Sequence, residues 1–273
     1  MSSPRLFDRR NLSLLLLFLL ALAFFLALRW QPETWLRQQL QQAGIQHLSF
    51  RSASFSAHGL RLNDVALGEQ PLSLHLDGVE LAPQWWALLR GVPVLNLRGG
   101  ARGISISAQL RPQGEAIRIE AIEITAEAAA LQAQLAASSW QASGLLHLSG
   151  EMALLRTGGQ PQSAQLALEW QQAVLTVIDV PLNFGTLSGQ LSGPPGSRWE
   201  WKLTATGEVA LNGRGSLLPQ SVTPTQWPLT GTVDLQASGN VASLLQGFGG
   251  ASQLSLPISG TLASPVIGMA GTP

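Results

Sequence analysis

Cysteine is absent from the 273 residues, and so is tyrosine. The first absence excludes disulfides, thiol nucleophiles and cysteine-bound zinc. Charge is scarce as well: Asp, Glu, Lys and Arg make up 12% of the chain, with a formal net charge of zero, against about 25% charged residues in ordinary globular proteins. No acidic or basic block is present, so nucleic acid is not expected as a partner. Lys202 is the only lysine.

Catalytic signatures are missing too. His47, His58, His75 and His147 are scattered, and no two sit at the i, i+4 spacing of a helical metal site. No H-E-x-x-H, phosphate-binding glycine loop or G-x-S-x-G elbow occurs. Ser188 and Ser192 stand in Leu-Ser-Gly repeats, which read as strand ends beside turn glycines. Glu115, Glu120, Glu123 and Glu127 are the densest acidic group, and they read as solvation of a poorly charged sheet. The expectation is a non-enzyme without catalytic residues, metal or cofactor.

One long apolar run is present. Leu12 to Leu28 contains a single polar residue, Ser13. With Arg29 and Trp30 its length is close to the ~30 Å hydrocarbon core of a bilayer at ~1.5 Å per residue. Leu12, Leu16, Leu20, Phe24, Phe25 and Leu28 are the expected anchor residues. Arg9 and Arg10 precede the run, and Trp30 and Trp35 follow it, as suits the two interfaces of a bitopic helix with its N-terminus inside. Ala21-Leu22-Ala23 also fits a signal-peptide cleavage site. The apolar run continues past it, so an uncleaved anchor is the expectation.

Beyond the run, Pro32 to Ala43 has helical spacing and stops at Gly44. From there the period becomes two. Leu72, Leu74 and Leu76 alternate with polar residues, as do Ile104 to Leu110, Ile117 to Ile119, Leu131 to Leu135, and Ala164 to Trp170. Such segments predict antiparallel strands with one covered face. The phase slips at Ala121 and resumes at Ile122, which predicts a bulge or bend. Gly68, Gly78, Gly114, Gly158-Gly159 and Gly193 to Gly196 are expected to punctuate the strands. A weak repetition ends in glycines at Gly144 to Gly150, Gly185 to Gly193 and Gly231 to Gly239. Short capping helices are predicted at Pro83 to Leu89 and at Val241 to Phe248, after the N-cap Asn240.

The expected organisation is a cytoplasmic tail (1–11), an anchor (12–30), an amphipathic helix (31–44), a periplasmic β-rich domain (45–268) and a tail (269–273). Residues 158–163 are either a subdomain boundary or a hairpin loop. The fold class is mainly β: an elongated, curved antiparallel sheet with two short capping helices. Trp85-Trp86 and Trp199-x-Trp201 are the two tryptophan clusters. They read either as core or as the aromatic lining of a lipid- or partner-binding groove.

The segments Ser54 to Gly68 (SFSAHGLRLNDVALG), Leu81 to Gly99 (LAPQWWALLRGVPVLNLRG) and Leu254 to Gly268 (LSLPISGTLASPVIG), behind a single anchor, resemble type II secretion system protein N. That family sits within the broader AsmA-like envelope proteins. The resemblance implies a non-enzymatic accessory of the bacterial inner membrane, facing the periplasm and touching other secretion components. The wider group suggests a rival reading, binding or transport of phospholipid in an apolar groove.

Overall fold

Alternating Leu, Ile and Ala with Ser, Gln and Thr gives strands that are apolar on one face only, and such strands pair most readily with their sequence neighbours. The computed structural model describes residues 33–34, 36–38, 48–56, 59–68, 74–134, 140–155, 160–177, 180–220, 226–238, 242 and 253–268. The expected anchor Leu12 to Leu28, with Arg9, Arg10, Trp30 and Trp35, lies outside them, as do His47, His58 and most of the helix expected after Asn240. Among the described residues, no helix is long and apolar enough to cross a membrane.

Among the described residues, fourteen strands form one antiparallel sheet in strict sequence order. They are β1 (Leu48–Ser56), β2 (Gly59–Leu67), β3 (Leu74–Pro83), β4 (Leu95–Ala101), β5 (Ile104–Gln113), β6 (Ala116–Glu127) and β7 (Trp140–Leu155). There follow β8 (Pro161–Val177), β9 (Val180–Gly193), β10 (Trp199–Thr206), β11 (Val209–Leu217), β12 (Leu229–Ala237), β13 (Gln253–Gly260) and β14 (Pro265–Ile267). The connections alternate between two ends of the sheet. We call the end with the β1–β2 turn the lower end and the end with the β2–β3 connection the upper end. The central β8 has 17 residues, about 54 Å at a rise of ~3.4 Å per residue.

The expected bulge is present. The β6–β7 register shifts between Ile119 and Ile122, and Ala121 has φ 48°. The extra residue keeps Ile122, Ile124 and Ala126 on the apolar face after Ile117 and Ile119 have used the opposite parity. Of the stretch 158–163, Pro161 to Ser163 belong to the start of β8, where Pro161 and Ser163 pair with Leu154 and Ala153 of β7.

Two expectations need correction. Leu131 to Leu135 was predicted to continue as a strand, but Ala128–Gln132 is a helix, α2; α1 is Trp85–Leu89. Three consecutive alanines favour helix strongly, and Leu131 packs against the core from it. Gly78, Gly144 and Gly150 were read as strand ends. All three lie inside strands, and at two of them the missing side chain admits a neighbouring backbone: a Cβ on Gly144 would lie 2.4 Å from the Gln171 carbonyl oxygen, and one on Gly150 2.1 Å from that of Gln165.

The core lies along one face in three clusters. The first joins Phe50, Leu62, Val65, Leu76 and Ile104 of the early strands. The second joins Ala173, Phe184, Leu187 and Val209, and the third Ala164, Trp199, Leu217 and Trp227. Residues 33–34 and 36–38 are helical, and they dock on β1. The Arg37 guanidinium donates to the Phe50 carbonyl at 2.8 Å and lies over the Phe50 ring at 4.8 Å. Glu33 Oε1 accepts from the Ala53 N–H at 3.3 Å.

Candidate apolar groove

Among the described residues, hollows open on the apolar face toward the lower and the upper end. The lower one, about 440 Å³, is lined by side chains from every strand from β7 to β13, among them Leu148, Leu166, Leu191, Trp201, Leu217 and Ile258. On a flat sheet, six spacings of ~4.8 Å would set β7 and β13 about 29 Å apart. One hollow of this size touches all seven strands only because the sheet curls around it. The upper hollow, also about 440 Å³, is lined by Leu131, Trp140, Leu146, Trp170, Leu175 and Val177. Leu146 and Leu148, like Leu168 and Trp170, are same-face neighbours along a strand. Apolar side chains therefore run continuously from one hollow to the other.

Tryptophan and glycine shape the lower hollow together. Trp199 is buried and meets Trp227 edge to face, with ring centroids 5.5 Å apart at 83°. The Trp201 indole lies across β11 and β12, where a Cβ on Gly215 or Gly231 would stand 2.5 or 2.4 Å from its Cζ2. These glycines make the floor low enough for a flat indole. The indole nitrogens of Trp199 and Trp201 are buried without a hydrogen-bond partner.

Trp199 and Trp201 thus share the apolar face, as the sequence spacing predicts. Trp85 and Trp86 do not join them: they stand on α1, 61% and 78% exposed. Spacing alone missed Trp140, Trp170 and Trp227. Trp170 carried a usable signal, since it continues the apolar phase of Ala164, Leu166 and Leu168. In the structure its indole N–H donates to the Ser143 carbonyl at 3.0 Å.

At the upper end α2 and the turn that follows it are held by two glutamine amides. Gln134 Oε1 accepts from the His75 N–H at 2.7 Å, and its Nε2 donates to the His75 carbonyl at 3.2 Å. Gln132 Oε1 accepts from the Ala142 N–H at 2.8 Å, and its Nε2 donates to the Trp140 carbonyl. Each amide occupies the place of a neighbouring strand, so α2 ties β3 to β7.

The opposite face carries the charge. Arg111 and Arg118 flank Glu120 at 3.6 and 3.8 Å, and Arg118 also reaches Glu151 at 3.6 Å. His147 Nε2 lies 3.0 Å from the Glu123 carboxylate. Ser188 and Ser192 are exposed on this face, opposite Thr204 and Glu200. No cluster of three metal-ligating side chains occurs among the described residues.

The chain is thus a curled antiparallel meander with an apolar inner groove and a polar outer face. No family model, curated protein or solved structure matches it.

Proposed function

We propose that this protein is a non-enzymatic, membrane-tethered β-sheet that holds lipid acyl chains along its apolar inner face. The observation that carries the reading is the lower hollow, where leucines and Trp201 from seven strands and Trp227 from the β11–β12 connection meet around one space. Water in such a space lacks polar partners, and an alkyl chain does not need them. The apolar run Leu12 to Leu28 would keep the groove beside its lipid source, at the periplasmic face of the inner membrane. A photoreactive residue at Leu191, in the full chain reconstituted in phospholipid vesicles, is expected to cross-link to phospholipid. The same residue at Ser188, on the outer face, is expected not to. Absence of a lipid adduct at Leu191 sinks the reading.

A second reading, a component of a type II secretion machine acting through protein contacts, has its own support. The motif Leu254 to Gly268, which carries the resemblance, forms β13 and the short edge strand β14. There Val266 and Ile267 are exposed on an edge that no other described strand pairs, open to strand addition. A photoreactive residue at Val266 would then join a secretion component in cells making the machine. Exclusive capture of lipid at Leu191, with nothing at Val266, would rule this reading out.

A further inference from the structure

Large apolar side chains are exposed at one end of the sheet. Of the eleven such residues among the described ones, all but Leu145 lie at or within a few residues of the lower end. The densest group is on α1 and the loop after it: Trp85, Trp86, Leu88, Leu89 and Val92. A fixed loop holds them outward. The Gln84 N–H bonds the Val94 carbonyl at 2.9 Å, the Val92 N–H bonds the Ala87 carbonyl at 2.9 Å, and Val94 is buried beneath them. The α1 helix itself buries no residue. Exposed apolar patches of this kind mark contact surfaces, and adjacent tryptophans favour the membrane–water boundary.

Chain geometry selects the bilayer as the occupant. Glu33 bonds Ala53 while Arg37 bonds Phe50, so the helical segment runs antiparallel to β1 with residue 33 toward the lower end. Only four residues separate Glu33 from Leu28, the last residue of the apolar run. At ~3.5 Å per residue, the end of that run is within about 18 Å of Glu33. Ala53 is three residues from Ser56 at the lower end of β1, about 10 Å at the strand rise. The apolar run therefore ends within reach of the lower end, where the exposed tryptophans stand. The Leu148 to Ile258 hollow lies toward that end as well.

We infer that the α1 loop is a second membrane contact. Trp85, Trp86 and Leu89 insert into the outer interface of the bilayer that holds the Leu12 to Leu28 run. Two contacts set the sheet on its lower end and bring the lower hollow to the lipid surface. This rests on the membrane-tethered reading above and adds the sheet's orientation to it.

The absence of cysteine makes site-directed spin labelling direct. Leu89→Cys, Leu20→Cys and Gln141→Cys are made one at a time, labelled, and reconstituted as full chains in phosphatidylcholine–phosphatidylglycerol vesicles. Gln141 is the control, exposed near the upper end of β7. Accessibility to oxygen, which concentrates in lipid, is compared with accessibility to a water-soluble nickel chelate. The expected result is lipid-type accessibility at Leu20 and Leu89 and aqueous accessibility at Gln141. An aqueous label at Leu89 with a lipid-embedded label at Leu20 overturns the second contact and leaves the tether standing. An aqueous label at Leu20 overturns both. A Leu89 label shielded from both reagents assigns the loop to a protein contact and overturns insertion.

Discussion

Trp199 faces Gly193 across β10 and β9, and its Cδ1 lies 1.9 Å from where a Gly193 Cβ would be. Indole and absent side chain form one packing unit, which an added methyl would break by displacing the ring. Gly193→Ala is expected to cost about 1–3 kcal/mol, as overpacking does, and Trp199→Ala about 3–5 kcal/mol. The double substitution should cost less than the sum, because the contact with the ring disappears with the indole and only the 2.8 Å approach to the Trp199 Cα is left. Urea unfolding followed by far-ultraviolet circular dichroism measures all three. An unchanged midpoint for Gly193→Ala would show that the ring yields freely.

The unpartnered indole nitrogens of Trp199 and Trp201 lead to a second expectation. Phenylalanine keeps much of the ring and removes a buried donor that binds nothing, so the lost packing and the relieved desolvation oppose each other. Trp201→Phe should therefore stay within about 1 kcal/mol of the parent, well short of the several kcal/mol typical of Trp→Ala. A loss of that larger size would mean that the N–H holds a partner in solution.

Removing the Gln134 amide is expected to uncouple α2 from β3. Two hydrogen bonds to His75 vanish, worth about 1–3 kcal/mol together. Hydrogen exchange is the sensitive readout. In Gln134→Ala the His75 amide should exchange roughly tenfold faster, as a local loss of ~1.4 kcal/mol implies. The Ala142 amide, held by Gln132, should change less. Equal acceleration at both positions would mean that α2 detaches as one piece.

The charges of the outer face should matter little for stability. Arg118 reaches Glu120 and Glu151, but at 3.8 and 3.6 Å, and its side chain is 42% exposed. Arg118→Gln is expected to cost less than about 1 kcal/mol, and the difference should shrink at high salt. A larger, salt-independent loss would assign Arg118 a role in shaping the β6 bulge instead.

The architecture was legible where period alone decides it. Alternation placed β5, β6 and β8, and the slip at Ala121 located a bulge because a second isoleucine pair resumed in the opposite parity. The same rule misread α2, where Leu131, Ala133 and Leu135 mimic a strand and the preceding alanines were the better guide. Glycine was the harder residue. At Gly114 and Gly196, with φ of 59° and 70°, it marks turns as its sequence context suggests. At Gly150 and Gly215 it marks close approach inside a strand, and one sequence does not separate the two uses. The groove was half legible for a related reason: Trp199 and Trp201 announce themselves by spacing, whereas Trp227 joins them from the β11–β12 connection, outside any alternating strand.

Every strand in this sheet is bonded only to strands adjacent in the sequence, and that has a bearing on how the molecule is made. A growing chain always finds its docking edge already laid down, and no strand waits for a late one to pair, although the His75 backbone waits for Gln134. Loop-closure costs stay small at each addition, so the sheet can lengthen as the chain emerges, much as a zip closes behind its slider. The first-made edge, β1, is the one braced by Glu33 and Arg37, which gives that growth a fixed starting rail.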